Sequence, residues 1–274
     1  MVRVAIDIGH GSDTWENGGG KGVIRNGVVY EEHDFNSLVA QELDRLLRSN
    51  GIDTLLYQQP FSPEVGLTQR TNYYNAQNVD LVWSIHANAS SSTSAEGRCA
   101  FYWYTANEAR RLAELYVEEV QNAGYSTHGT GLHASQPGSW TNLHICRETN
   151  MTAVLTENGF MTNNNDFQRI FGSGQSTYVA NIARIHAKAI CRFFGISFED
   201  DGGGNTGQQY IEILADSLWT YNTADWNDRA VIVSRGEVFT VIRDRFYVDG
   251  GYMYQIKSGL YITANPTYVR VYTR

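Results

Sequence analysis

Two spacings of apolar residues alternate along most of this chain, and a third pattern replaces them near its end. Apolar runs of strand length begin at Val4 and stop before Gly9, and return at residues 52–57, 80–86, 97–104 and 151–160. Between them the apolar positions recur every three or four residues. Phe35, Leu38, Val39, Leu43, Leu46 and Leu47 predict a helix over residues 32–49, ended by Asn50-Gly51. Residues 67–79 read as a second helix. Ala109, Leu112, Leu115, Tyr116 and Val120 mark a third over 106–123, and Tyr178, Ile182, Ile185, Ala189 and Phe193 a last one over 176–194. Strands that alternate with helices imply an α/β fold, a mostly parallel sheet with helices on both faces.

The gaps in this pattern carry information too. Residues 12–27 read as a flexible loop; its Gly18-Gly19-Gly20-Lys21-Gly22 has the wrong glycine spacing for a phosphate loop, and Gly22 stands where Ser or Thr is needed. Residues 124–140, polar and glycine-rich, read as a loop over the site, with His128 and His133 at the surface. His186, near the stripe of the last helix, reads as a packing histidine. From residue 198 the rhythm breaks: 198–208 form a polar, Gly-rich linker. Beyond it, in 209–274, short β-prone runs lie at 219–221, 230–233, 238–242, 253–256, 260–262 and 269–272, separated by turn residues such as Asp249-Gly250-Gly251 and Ser258-Gly259. Such a stretch implies a small all-β barrel. The expected domains are therefore 1–197 and 209–274, joined by 198–208.

Composition narrows the partners. With 274 residues and 42% hydrophobic content the chain can fill one large core and a small one, at roughly 100 to 200 residues per domain. The net charge is −8, the acidic excess falls wholly before Gln209, and no basic face is evident. A nucleic-acid partner held through its phosphates is thereby disfavoured. Cys99, Cys146 and Cys191 are odd in number, far apart and in no CxxC pattern, so they read as buried thiols. Strand residues begin almost at once, without the charged and apolar regions of a secretory signal, and no apolar run approaches the roughly 18 residues of a membrane span. The expectation is a chain made in the cytoplasm and not inserted in a membrane.

Candidate chemistry gathers at the ends of the predicted elements. Val4-Ala5-Ile6-Asp7-Ile8-Gly9 ends in His10, the strand at 80–86 ends in His86, and Glu31 and Glu32 open the first long helix. Open α/β folds collect ligands where strands end. Two imidazoles and a carboxylate suit a catalytic zinc, which keeps its fourth position for water. Spacing leaves Glu31 and Glu32 as equal alternatives. Hydrolysis also needs a group that takes a proton from water and returns it to the leaving atom, and Glu157, at the end of the strand over 151–160, is the candidate.

In order and spacing, Asp7-Ile8-Gly9-His10-Gly11, Glu32-His33-Asp34-Phe35-Asn36, Arg70, Asp80 with Ser84-Ile85-His86-Ala87-Asn88, and Leu155-Thr156-Glu157-Asn158-Gly159-Phe160-Met161-Thr162-Asn163 resemble the successive motifs of the zinc-dependent N-acetylmuramoyl-L-alanine amidases of the amidase 3 type. The resemblance spans about residues 1–195. It implies that His10, Glu32 and His86 hold one zinc ion, that Glu157 is the catalytic acid/base, and that the substrate is the amide joining N-acetylmuramic acid to L-alanine in peptidoglycan. It also selects Glu32 over Glu31, through the family's Glu-x-Asp-x-Asn pattern. Arg70 and Asn88 match family positions and are candidates for substrate binding, against plain readings as a helix arginine and a turn asparagine. Ile8 and Thr152 depart from the pattern where the family commonly has proline, which affects backbone stiffness but no ligand.

Residues 209–274 resemble bacterial SH3-like wall-binding modules. Trp219, Tyr221, Trp226, Tyr247, Tyr252, Tyr254 and Tyr261 could stack on glycan or peptide there, although barrel packing explains most of them equally well. The combination of these parts resembles a phage or prophage endolysin, which implies release to the cell wall through a holin pore. Two alternatives stand beside this reading: a zinc carboxypeptidase acting on wall peptides, and a non-catalytic wall-binding protein.

Overall fold

The computed structural model describes residues 1–200, 209–248 and 251–273, and its chain divides into two compact units, 1–204 and 205–274. The first unit is built, in order, from β1 (Arg3–Ile8), β2 (Gly22–Arg25), β3 (Val28–Glu31), α1 (Glu32–Ser49), β4 (Asp53–Leu55), α2 (Leu67–Ala76), β5 (Leu81–Asn88), β6 (Arg98–Trp103), α3 (Asn107–Asn122), β7 (Thr127–Ser135), α4 (His144–Glu148), β8 (Thr152–Phe160), α5 (Asn164–Ile170) and α6 (Gln175–Phe194). Its six-stranded sheet has the order β4-β1-β5-β8-β6-β7. Every neighbouring pair is parallel except β6 with β8. The predicted mostly parallel α/β sheet is present.

Side chains alternate across the sheet, so each strand feeds two cores. Val4, Ile6, Ile8, Trp83 and Ile85 join Phe35, Val39, Leu43 and Leu47 of α1, Leu112 and Tyr116 of α3 and Ile182 and Ile190 of α6 in the larger one. Ala5, Val82, Cys99, Phe101, Ala153 and Leu155 face Tyr74 of α2 and Ile145 and Cys146 of α4 in the smaller. The stripe read for α1 is the buried one: Phe35, Val39, Leu43 and Leu47 are fully enclosed. All three cysteines are free and buried.

Three local expectations change. Part of the loop read at 12–27 is the β2–β3 hairpin, whose register runs Gly22 to Glu31. Residues 127–135, read as loop, are the edge strand β7, parallel to β6. An edge strand has one neighbour, so it forms with few apolar residues. Its histidines are accordingly half-buried rather than on the open surface: the His133 ring stacks on Phe101 at 5.2 Å and His128 lies 4.8 Å from Phe160. Residues 198–200, expected to begin the linker, are tied to the first unit. Phe198 packs against the larger core, the Glu199 backbone exchanges hydrogen bonds with the Asn50 side chain, and Asp200 pairs with Arg184. Residues 201–208 of that linker lie outside the described residues.

The second unit is all-β: β9 (Gln209–Ile213), β10 (Ser217–Tyr221), β11 (Arg229–Ser234), β12 (Val238–Val248), β13 (Gly251–Ile256), β14 (Tyr261–Thr263) and β15 (Val269–Thr273). They form one antiparallel sheet, β11-β10-β14-β13-β12-β9-β15, around Ile211, Ile213, Val241, Ile256 and Ile262. The six predicted runs are β10 to β15, and β9 is additional. Tyr254 is buried; Tyr221 meets Trp226 edge-on at 5.4 Å, and the side chain of Tyr247 is outside the described residues.

Candidate active site

In the first unit the chain runs from β1 to β4 on one side and then crosses to β5 on the other, so the sheet order reverses between β1 and β5. At such a switch point the strand ends splay and leave a crevice. His10 follows β1, His86 and Asn88 end β5, and Glu157 is the register partner of His86 on β8. The N-terminus of α1 arrives at the same edge and delivers Glu32 in its first turn, where the helix dipole favours a carboxylate. One cleft of about 560 Å³ is lined by His10, Glu32, His86, Asn88, Arg70 and Glu157.

Three of these side chains converge. Glu32 Oε2 lies 3.1 Å from His10 Nε2, and Glu32 Oε1 lies 3.0 Å from His86 Nδ1. The two rings stand edge to face at 5.0 Å, and one ligand atom from each residue lies within 4.8 Å of the others. Burial alone would push the Glu32 carboxyl up, but His10 and His86 hold it well below the usual carboxylate range. Burial pushes the His86 imidazole down, against the pull of Glu32. Deprotonated carboxylate and neutral imidazole are the states that bind a metal ion. Of the two glutamates that spacing left open, Glu32 reaches both rings, while Glu31 is the residue preceding α1 and interacts with the Trp15 backbone.

The backbone is shaped for this convergence. His10 has a left-handed φ of 64°, a conformation that costs an L-residue about 1–2 kcal/mol and that clusters at functional sites. Gly9 is required beside it: a Cβ there would sit 2.5 Å from the His86 ring and 2.7 Å from the Ile85 carbonyl oxygen. A Cβ on Gly11 would lie 2.1 Å from the Glu64 nitrogen. His33 Nδ1 donates to the Gly9 carbonyl at 2.9 Å, and Asn36 Nδ2 reaches that carbonyl and Glu32 Oε1, both at 3.3 Å. The Ala87 N–H also donates to Glu32 Oε1, at 3.0 Å. These supports fix the orientation of the three converging side chains. Asn36 was visible in sequence only as part of the family pattern, and the part played by His33 was not visible at all.

Beneath the cleft, buried Asp7 accepts from Arg70 Nη1 at 3.0 Å, Tyr74 Oη at 2.9 Å and Ser84 Oγ at 2.6 Å. Arg70 also donates to the Ile8 carbonyl at 3.0 Å, clamping the end of β1 just before His10. Asn88 lines the cleft, and its Oδ1 accepts from the Ala89 N–H at 2.8 Å. Glu157 differs from all of these: its Oε2 is enclosed and has no hydrogen-bond partner. Burial raises its carboxyl well above the usual range, Glu32 adds to the rise, and Lys21, also on the cleft wall, opposes it. Lys21, set aside in sequence as a loop lysine, therefore faces the chemistry.

Known proteins resemble this chain in sequence and in fold. Residues 4–192 match the family described as N-acetylmuramoyl-L-alanine amidase. The chain belongs to that family. Among its relatives are the N-acetylmuramoyl-L-alanine amidase CwlM of Bacillus licheniformis, 32% identical over 72% of this chain and 70% of that protein, and the endolysin of Bacillus phage SPP1, 27% identical over 98% of this chain and 97% of that one. The solved catalytic domain of the amidase CwlV from Bacillus (Paenibacillus) polymyxa var. colistinus superposes with a TM-score of 0.60 at 26% identity, covering 72% of this chain and all of that domain. Residues 205–269 match a family described only as a domain of unknown function. The amidase is a peptidoglycan hydrolase that cleaves the amide between N-acetylmuramic acid and L-alanine. No helix among its described residues is long and apolar enough to cross a membrane.

Proposed function

We propose that the amidase works with one zinc ion held by His10, Glu32 and His86, with Glu157 as its acid/base. The observation that carries this reading is the donor set itself, two imidazole nitrogens and a carboxylate oxygen within 4.8 Å of one another. Three such ligands fit a zinc site that keeps a position for the reaction. When bound there, zinc supplies Lewis acidity, which lowers the pKa of water and polarises a carbonyl. The protein's own residues do the rest. Glu157, with a raised pKa and a place on the cleft wall, takes the proton of the attacking water and delivers it to the leaving amide nitrogen. Arg70 keeps Asp7 and the end of β1 in place, and Asn88 contacts substrate from the cleft wall.

We further infer an endolysin role, supported by likeness to a phage endolysin along nearly the whole of both chains. On this reading the protein reaches the wall after holin-type release. The second unit is an SH3-like module that holds the wall, supported by its size, its all-antiparallel strands and its half-buried Trp219, Tyr221, Trp226, Tyr252 and Tyr261. One experiment tests the core of the proposal. Purified peptidoglycan is digested with and without a chelator, and the products are identified by mass spectrometry. New alanine amino termini that vanish with the chelator and return with added zinc are expected; chelator-resistant cleavage at that bond overturns the zinc assignment.

A further inference from the structure

Outside the metal cluster, the cleft's face of the sheet continues beyond Glu157. Cys99 is the register partner of Glu157, and Phe101 that of Leu155, which itself lines the cleft. Cys99, Phe101 and Leu155 are buried together in the smaller core, which joins the cleft wall at Leu155 to the ring of Phe101. It ends at Trp140. That ring is 83% exposed, the most exposed aromatic side chain among the described residues, and it stands edge-on to Phe101 at 6.1 Å. The Phe101 ring is in turn stacked on His133.

The loop that presents Trp140 is braced on both sides. Thr141 Oγ1 donates to the Ala134 carbonyl at 2.9 Å, the Leu143 N–H donates to Ser135 Oγ at 3.1 Å, and Arg147 Nη1 donates to Asn142 Oδ1 at 2.5 Å. The next residues, Leu143, His144 and Ile145, are themselves on the cleft wall. The loop therefore holds a large apolar ring in water within three residues of the cleft wall.

We propose that Trp140 is a sugar-stacking platform of the amidase, binding a pyranose ring of the glycan strand next to the muramic acid whose amide is cut. Pyranose rings present an apolar face of C–H groups that packs on indole, the substrate is a polymer of such sugars, and the loop of Trp140 runs into Leu143, His144 and Ile145 on the cleft wall. Phe101, 3% exposed, supports the platform from below. The assignment rests on the reading that the scissile bond lies in the cleft beside Glu157.

The test uses the full chain and soluble glycans of increasing length, from a disaccharide to a hexasaccharide, each carrying a single peptide stem. For the parent protein kcat/KM rises with glycan length. For Trp140→Ala that rise is lost, through KM and by about tenfold on the longest glycan, equivalent to about 1.4 kcal/mol. Its activity on the disaccharide and its Tm stay unchanged, and Trp140→Phe retains part of the rise. A length dependence that survives Trp140→Ala overturns the proposal and leaves the ring to a protein or lipid contact. An equal loss on every substrate overturns it as well. Activity retained by Glu157→Gln would remove the reading of the cleft instead, an outcome the length series does not produce.

Discussion

Two carboxylates flank the end of β8, and their surroundings are opposite. Asp166, on α5, is fully enclosed and saturated: Oδ2 accepts from the N–H groups of Gly97 at 3.2 Å and Phe160 at 3.0 Å, and Oδ1 from Arg98 and Arg169, both at 3.0 Å. Arg98 in turn bonds Tyr178 Oη at 2.6 Å and lies over the rings of Tyr125 and Tyr178. Glu157 has a buried oxygen with no partner and a raised carboxyl pKa. A buried polar atom without a partner is uncommon, because it loses the hydration that a partner would replace. The saturated acid ties β6, β8 and α5 together; the bare one stands in a cleft beside a donor set for a metal. The contrast separates what holds this fold from what the fold is for.

The contrast is broken most directly at Glu157. Glu157→Gln preserves shape and removes the proton carrier, so kcat is expected to fall about 10²- to 10⁴-fold. Zinc content should stay as in the parent and Tm should not fall, because the side chain ties nothing together and the fold raises the pKa of its carboxyl. Lysis at the parent rate would refute the assignment, and a large loss of Tm would make Glu157 a second Asp166.

Asp166→Ala should do the reverse. It strands Arg98 as a buried, unpaired cation, a change that typically costs about 3–5 kcal/mol. At roughly 2–4 °C per kcal/mol the thermal transition should fall by on the order of ten degrees. Activity per folded molecule, measured well below that transition, should remain near the parent value.

These two residues also mark what a sequence can disclose. Glu157 was legible because it ends an apolar run and sits in a family motif. His10 and His86 were legible for the same reasons, as were α1, α3 and α6 from their stripes. Asp166 was not, since its partner Arg98 is distant along the chain and pairing between a helix and a remote strand leaves no periodic trace. Edge elements were hidden for a related reason: β7 and the β2–β3 hairpin bury little, so their residues look like loop. The choice between Glu31 and Glu32 lay beyond spacing because both are one turn from the stripe; the β3–α1 junction decides which of them faces the imidazoles.

A third titratable group tests the stability side of the contrast by pH. His186 on α6 is fully buried; its Nε2–H donates to Asn158 Oδ1 at 2.9 Å, its Nδ1 has no partner, and burial pushes its pKa down to about 3 from 6.5. The unfolded chain therefore takes up a proton that the folded chain refuses. Above pH 6.5 this has no effect, and between 6.5 and about 3 each unit of acidification removes up to about 1.4 kcal/mol. Comparing urea midpoints at pH 7.5 and 5, the parent should lose about 2 kcal/mol more than His186→Phe. Equal losses in the two proteins would mean that His186 is already charged in the fold.

The smallest expected effect is electrostatic and concerns the bare acid alone. Lys21 opposes the rise in the Glu157 pKa from an exposed position on the cleft wall, whereas Asp166 is held by hydrogen-bonded arginines at contact distance. Lys21→Gln should therefore move the Glu157 pKa upward. In the proposed role of general base Glu157 must begin unprotonated, so the acidic limb of kcat/KM should shift to higher pH while the plateau stays put. An interaction through solvent fades once the Debye length, about 10 Å at 0.1 M and about 3 Å at 1 M salt, shrinks toward the separation of the charges. Parent and variant profiles should then converge as salt is added. A limb that does not move at low salt would show that burial and Glu32 alone set the proton affinity of Glu157, and a difference that persists at 1 M salt would mean that Lys21 touches the carboxylate during the reaction.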